Sequence, residues 1–227
     1  MPGYRTKTET LAVGGADIFI RSLLDRQQFC DPDGVAERLG ISSASWPLFG
    51  LVWPSALVLA AHMQGVPLGG RQVLEVGCGL ALASLAIHRR DARVTASDRH
   101  PLAEAFLREN LRLNDLAPLT YRHADWAGGN GALGRFDLIV GSDVLYERGH
   151  PALLAAFIER HAHATMEVII ADPDRGNRLA FNRCMHGLGF ERSERRVAAL
   201  PGSGLAYKGR VLSYRREALP ARGLAAA

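Results

Sequence analysis

Three cysteines in 227 residues, Cys30, Cys78 and Cys184, are odd in number and widely spaced, and they fit neither a disulfide framework nor a zinc site. A reducing, cytoplasmic setting is therefore expected. No window approaches the ~20 unbroken apolar residues of a membrane span. Residues 1–15 hold no apolar core of signal-peptide length. Dense Lys/Arg runs are also missing and the net charge is only +4, so the arginine content reads as a solvated surface rather than a nucleic-acid footprint. The eight histidines form no metal-ligand grouping, and no internal repeat is visible. What is present, 48% hydrophobic and 22% charged residues, is ordinary for a globular protein. The length suits one α/β domain with a real core, not two.

The stretch 72–98, QVLEVGCGLALASLAIHRRDARVTASD, organises the rest. Val73-Leu74-Glu75-Val76 reads as a buried strand, Gly77-Cys78-Gly79 as a break, and 80–88 as a helix apolar almost all round. A second strand over 93–96 leads to Asp98. Strand, glycine turn, helix, strand and acid make one half of a nucleotide-binding α/β fold. Neither glycine carries a Cβ, so the backbone can approach a ligand closely. Asp98 stands about where a ribose hydroxyl needs an acceptor.

Upstream, 10–13 and 17–23 flank Gly14-Gly15 and suggest a hairpin. Residues 30–45 read as a polar loop with room for a helical turn. The aromatic, proline-rich run 46–54 follows, and Pro54 suits the first turn of a helix reaching Met63. Downstream, apolar spacing predicts helices over 101–113, 151–163 and 177–187, and strands over 119–123, 136–140 and 167–171. Residues 190–197 and 205–214 alternate as an antiparallel edge pair. Residues 1–45 are thus expected as an N-terminal extension, 46–216 as the main domain and 217–227 as a frayed tail. The alternation predicts a Rossmann-like, doubly wound α/β fold, with a mostly parallel sheet covered by helices on both faces. In such a sheet the ligand lies beyond the carboxyl ends of the strands. Glu75, Gly77, Asp98, Asp125, Trp126, Asp143 and Asp172 all fall at or just past that edge.

A dinucleotide cofactor asks for G-x-G-x-x-G/A, and here Leu82 fills the sixth position. Glu75 two residues before the first glycine instead makes the line resemble motif I, E/D-x-G-x-G-x-G, of the seven-strand S-adenosylmethionine methyltransferases. Ala81 stands where their third glycine usually does. Trp53-Pro54, Thr95-Ala96-Ser97-Asp98, the Asn110 and Asn114 pair, Asp125-Trp126 and Ser142-Asp143-Val144-Leu145-Tyr146 occur in one order with it. Together they resemble the nicotinamide-N-methyltransferase-like family, many of whose members methylate protein lysines. The resemblance covers 46–197, and the D-x-x-Y element Asp143–Tyr146 is its most telling part. Asp172-Pro173 with Arg175 is further similar to the branch that methylates the β-subunit of electron-transfer flavoprotein. Adenine-amino methylases of similar fold carry Asp/Asn-Pro-Pro-Tyr/Phe at the D-x-x-Y position to stack a flipped base. Val144-Leu145 replaces both prolines here, which speaks against a nucleic-acid substrate.

The resemblance implies a seven-stranded sheet, S-adenosyl-L-methionine as cofactor and S-adenosyl-L-homocysteine as product. It implies that Gly77 and Gly79, with Cys78 between them, line the methionine and ribose part. Asp98, followed by Arg99, would accept from the ribose hydroxyls. Asp125 would bind the adenine amino group with Trp126 against the ring, and Trp53 would close over the cofactor. Ser142 and Glu75 complete the cofactor set, Glu75 either touching ligand or orienting the loop. Asp143 and Tyr146 form the catalytic pair.

Methyl transfer from a sulfonium is an in-line displacement, and alignment alone can contribute roughly 7–11 kcal/mol. A lysine acceptor must first lose its proton, which from a pKa of about 10.4 costs ~4.6 kcal/mol at pH 7. A carboxylate raises an amine's pKa. Asp143 is therefore expected to recruit and orient the ammonium, with the proton leaving to water, while Tyr146 walls the channel and attracts the cation by ~0.5–2 kcal/mol. A protein substrate and a monomeric enzyme are expected. A small-molecule N-methyltransferase and a non-catalytic cofactor-binding module remain as alternatives.

Overall fold

The computed structural model describes residues 3–128 and 133–218. Positions 129–132 of the glycine-rich loop and 219–227 of the tail expected to be frayed lie outside the described residues.

The chain opens with a hairpin, β1 (Thr6–Val13) and β2 (Ala16–Leu23), in which Val13 pairs with Ala16. Gly14 and Gly15 both take positive φ, 60° and 86°, the condition for a tight two-residue turn between twisted strands. A single helical turn, α1 (Val35–Arg38), and a 3₁₀ turn over Trp46–Gly50 lead to α2 (Pro54–Met63), which has Pro54 at its first position. Then follow β3 (Gln72–Val76), α3 (Leu82–His88), β4 (Arg93–Asp98), α4 (Ala103–Leu113), β5 (Thr120–His123) and β6 (Phe136–Ser142). The chain continues through α5 (His150–His161), β7 (Ala162–Asp172), α6 (Arg178–Gly187), β8 (Glu191–Ala199) and β9 (Ala206–Arg216).

Seven strands form one sheet in the order β5-β4-β3-β6-β7-β9-β8, parallel except for β9, which runs antiparallel to β7 and β8. This is the Rossmann-like sheet with an antiparallel edge that the pattern predicts. From β3 the chain winds outward to β4 and β5, then returns to β6 on the other side. The switch point thus lies between β3 and β6, where a crevice opens at the carboxyl ends. β3 and β6 are apolar on both faces because both faces are covered: Val73, Leu74, Val76, Leu138, Ile139 and Val140 are buried.

α3 is buried almost all round for a similar reason. Ala83 and Ile87 pack with Val58, Leu59 and Met63 of α2 and with the sheet. Leu82, Leu85 and Ala86 share a cluster with Ile18, Ile20 and Leu23 of the hairpin. Trp46, 1% exposed, sits amid Tyr4, Phe29, Phe49 and His100 at centroid distances of 5.6–6.0 Å, joining the first residues of the chain to the 3₁₀ turn. Asn110 of α4 and Asn114 at its C-cap complete the junction. Asn110 Oδ1 accepts from Arg21 N at 2.8 Å and Asn114 Oδ1 from Phe19 N at 2.9 Å, while Asn114 Nδ2 donates to Phe19 O. They satisfy one edge of β2, which lies outside the main sheet.

Several boundaries depart from expectation: β1 begins at Thr6 rather than 10, β6 runs to Ser142 rather than 140, and two further shifts have a visible cause. The helix predicted over 151–163 ends at His161, and the strand predicted from 167 begins at Ala162. Helix and strand meet with no glycine or proline between them, so apolar spacing has nothing to mark the junction; Ala162 is drawn into the ladder by pairing with Phe136. α4 starts at Ala103 rather than Pro101, because Leu102 N is taken by His100 Nδ1 and Ala103 N by His100 O.

Candidate active site

A cavity of about 280 Å³ opens at the switch point, near the lower end of the ~300–1,000 Å³ usual for small-molecule sites. The loop after β3 (Gly77, Cys78, Gly79), Asp98 and Arg99 after β4, Asp125 and Trp126 after β5, and Ser142, Asp143 and Tyr146 from β6 and its following segment all line it. Trp53 closes one side. Every residue of the expected site is therefore on the wall except Glu75.

The loop after β3 is held in one conformation from behind. Gly77, Gly79 and Ala81 take φ of 58°, 52° and 59°, so the position where relatives of this motif carry a third glycine is left-handed here too. At Gly79 a side chain is excluded sterically as well: a Cβ would lie 2.7 Å from Phe49 O. Asp98 Oδ2 accepts from Gly79 N and its Oδ1 from His100 N, both at 2.8 Å. Burial pushes the Asp98 carboxyl up, and these amide bonds oppose the rise. Glu75 lies beneath the loop, 2% exposed, its Oε2 accepting from both Ser84 N (2.7 Å) and Ser84 Oγ. It ties strand to helix and does not face the cavity.

On the β5 side, Asp125 Oδ1 accepts from Ala127 N at 2.9 Å, an Asx turn that shapes its own loop. Trp126 is tied through its carbonyl to Arg160 at 2.6 Å. A Cβ on Gly77 would lie 3.1 Å from Val144 and 3.7 Å from Trp126, so the bare glycine lets these elements close together. Trp53 is anchored by its indole N–H on Leu48 O (2.8 Å), with the Arg26 guanidinium 5.0 Å above its ring.

The β6 side is the most polarised. Asp143 has φ 53°, a left-handed conformation that aspartate tolerates better than most residues. Its amide donates to Ala171 O of β7 (2.9 Å), and its carboxylate is bound by one edge of the Arg175 guanidinium: Nε to Oδ1 at 2.6 Å, Nη2 to Oδ2 at 2.9 Å. Tyr146, 46% exposed, packs edge-on against His150 at 4.5 Å, and His150 packs edge-on against Trp126 at 5.3 Å. Val144 O can only accept, so His150 Nδ1, 3.0 Å away, carries the proton. Asp172 behind them is fully buried, and burial, then Asp143, pushes its carboxyl up to about 6.

Several wall residues escape the motif reading. Leu11 and Ile20 come from the hairpin, so the N-terminal segment forms part of the cavity. His100 and His150 look like ordinary histidines in sequence, although each sits within four residues of a motif acid or aromatic. Arg175 shows in sequence only as a companion of Asp172-Pro173; its place just past a strand's carboxyl end is the signal for its reach into the site.

Residues 45–181 match the family model described as "Lysine methyltransferase". Protein N-lysine methyltransferase METTL21A of Xenopus tropicalis is 32% identical over 140 residues, 59% of this chain and 62% of that protein. The electron transfer flavoprotein beta subunit lysine methyltransferase of Xenopus laevis is 31% identical over 134 residues, 57% of this chain and 53% of that protein. The chain thus spans less than two thirds of the length of these curated relatives. Among solved structures, the T. thermophilus 16S rRNA N2 G1207 methyltransferase RsmC, in complex with AdoMet and guanosine, superposes with a TM-score of 0.58. The match covers 93% of this chain and 51% of that one at 17% identity, a likeness of fold alone. The matched family segment runs through the glycine loop, Asp98, Asp125-Trp126, the D-x-x-Y element and Arg175, the same residues that converge on the cavity, and by it the chain belongs to the lysine methyltransferase family.

Proposed function

We propose that this chain transfers a methyl group from S-adenosylmethionine to a lysine side chain of a protein. The observation that carries the reading is the convergence of the glycine loop, Asp98, Asp125-Trp126 and Asp143–Tyr146 on one cavity at the switch point. His100 lines the same wall, its ring stacked on Phe49 with centroids 3.7 Å apart. His100 Nδ1 accepts from Leu102 N, so Nε2 carries the proton, and this buried N–H has no partner among the described residues. Burial also lowers the imidazole pKa to about 3, which keeps the ring a neutral donor at physiological pH.

Bound there, the cofactor supplies an electrophilic methyl on a sulfonium. Gly77 and Gly79 would leave room for its amino-acid and ribose portion, Asp98 would accept from ribose hydroxyls, and Trp126 and Trp53 would hold the adenine side. Asp143 orients the acceptor amine by hydrogen bonding, and Tyr146, held edge-on by His150, forms the aromatic wall of the acceptor channel. The half-exposed Tyr146 leaves that channel open to a side chain presented from outside.

Incubating the protein with S-[methyl-³H]adenosylmethionine and cell lysate, then separating on a gel, tests the reading. A labelled protein band is expected. Label confined to small molecules would favour a small-molecule N-methyltransferase, and no label despite S-adenosylhomocysteine binding a non-catalytic module. Lys7 and Lys208 are the chain's only lysines, so self-labelling is identified by replacing both with arginine. Asp143→Asn is expected to lower transfer at saturating acceptor; unchanged transfer would remove Asp143 from the proposed role.

A further inference from the structure

The bidentate Asp143–Arg175 pair alters what Asp143 can do. A bare carboxylate beside the acceptor would hold an incoming amine as ammonium, which has no lone pair to attack with. In the structure each oxygen of that carboxylate already accepts one bond from Arg175, and the pair is built in. Asn177 Nδ2, two residues past Arg175, donates to Leu145 O (2.8 Å) and Glu147 O (3.0 Å), stitching the segment after β7 to the one carrying Tyr146. Asp143 N is fixed on Ala171 O from the same strand. Asp143 is largely covered while Arg175 is half exposed, so the guanidinium occupies the solvent side of the carboxylate, where an acceptor arrives.

We propose that Arg175 sets the charge state of the acceptor: by occupying Asp143 it allows the carboxylate to hold the amine by a hydrogen bond without stabilising its protonated, unreactive form. This rests on the proposed methyltransferase reading. Arg175 acts through Asp143 and is a positioning residue, not a catalytic one. In the transfer itself the amine lone pair forms the N–C bond as the C–S bond breaks, the bonding pair stays on sulfur, and the proton of the new methylammonium leaves to water.

The surrounding groups make the counter-charge matter. Asp172 and Asp174, from β7 and the turn after it, and Glu147 beyond Tyr146 all add negative potential. Tyr146 and Tyr207 of β9 are neutral, burial raising both phenols. His150 of α5 is lowered by burial and neutral; the other cations here are Arg99 after β4, which acts on Tyr146, and Arg178 and Arg210, which pair with Asp174 at 3.3 and 2.8 Å. Without Arg175 the Asp143 carboxylate would stand uncompensated beside Asp172 and would bind an ammonium well but release its proton poorly.

The test is the pH dependence of methyl transfer from S-[methyl-³H]adenosylmethionine to the lysate protein band labelled by the wild-type chain. Arg175→Gln is expected to move the acidic limb of kcat, which reports the bound amine, upward by about 1 pH unit or more, recovering activity at high pH. Asp143→Asn, which leaves the guanidinium unpaired, is expected to move the limb downward at a reduced maximum. The double variant is expected to return near the wild-type position. Calorimetric titration with S-adenosylhomocysteine reports whether each variant retains a folded cofactor site. Profiles that superimpose across the variants would overturn the inference, as would an Arg175→Gln protein that binds S-adenosylhomocysteine normally yet stays inactive up to about pH 10. Should Arg175→Gln fail to fold, the direction of the Asp143→Asn shift decides. A wild-type chain that labels no protein would instead overturn the methyltransferase reading.

Discussion

At the scale of single residues, backbone conformation and burial explain what the motif alone does not. Ala81 departs from the glycine pattern, yet its φ of 59° shows that the position keeps the pattern's geometry. An L-residue there costs ~1–2 kcal/mol, and the buried methyl recovers roughly 0.8 kcal/mol. Ala81→Gly should therefore leave stability within about 1 kcal/mol of wild type, whereas Ala81→Val, β-branched and left-handed, should lose at least ~2 kcal/mol in urea denaturation. Glu75 gives a prediction in pH. Burial lifts its carboxyl to about 7 from an ordinary 4.5, so the folded chain holds this proton more tightly than the unfolded one. Its contribution is fully present below the unfolded value and is lost as pH rises toward 7. Glu75→Gln keeps an oxygen to accept both Ser84 bonds and has no proton to lose. Its melting temperature should match or exceed wild type near pH 8 and decline less between about pH 5 and 8; a steeper decline would contradict the assignment. Asp172, raised to about 6, should leave a residual slope of the same sign. The acid before the glycines is legible as a motif, but that it faces Ser84 rather than the ligand is a matter of packing no spacing reveals.

At the scale of elements, the strands and helices that carry the site follow from apolar period and from glycine or proline punctuation, and the α5–β7 junction resists because it lacks both. The Asn110 and Asn114 pair is visible in sequence as part of a motif, but its work lies ninety residues upstream, on β2. Asn110 is fully buried and also donates to Leu80 O beside the glycine loop, at 3.4 Å. Asn110→Ala would strand the Arg21 amide, at a cost of ~1–3 kcal/mol, and should speed hydrogen exchange at Arg21 without speeding exchange in the centre of β6. Uniform acceleration across the sheet would point to global destabilisation instead.

At the scale of the whole molecule, the N-terminal segment expected as an extension shares one apolar cluster with α3 and α4 and gives the cavity four wall residues, Leu11, Ile20, Ile41 and Ser45. Burying Val13, Ile18, Ile20 and Leu23 stabilises the fold by roughly 1.5–3 kcal/mol each, together about as much as the ~5–15 kcal/mol net stability of a typical domain. Deleting residues 1–30 should abolish cooperative thermal unfolding and S-adenosylhomocysteine binding together; a truncated chain that binds normally would show the hairpin to be dispensable. Neither this docking nor the Asp143–Arg175 pair, 32 residues apart, was legible in the sequence, because each depends on which strand ends meet across the sheet. The placement of the three tryptophans carries an optical consequence. Trp46 is sealed in the aromatic cluster of the core, while Trp53 and Trp126 stand on the cavity wall. Intrinsic emission is thereby divided into two channels: occupancy of the cavity should quench the latter pair, and only unfolding should red-shift the former. A chain carrying Trp53→Phe and Trp126→Phe would glow as a thermometer of its core and be blind to its ligand.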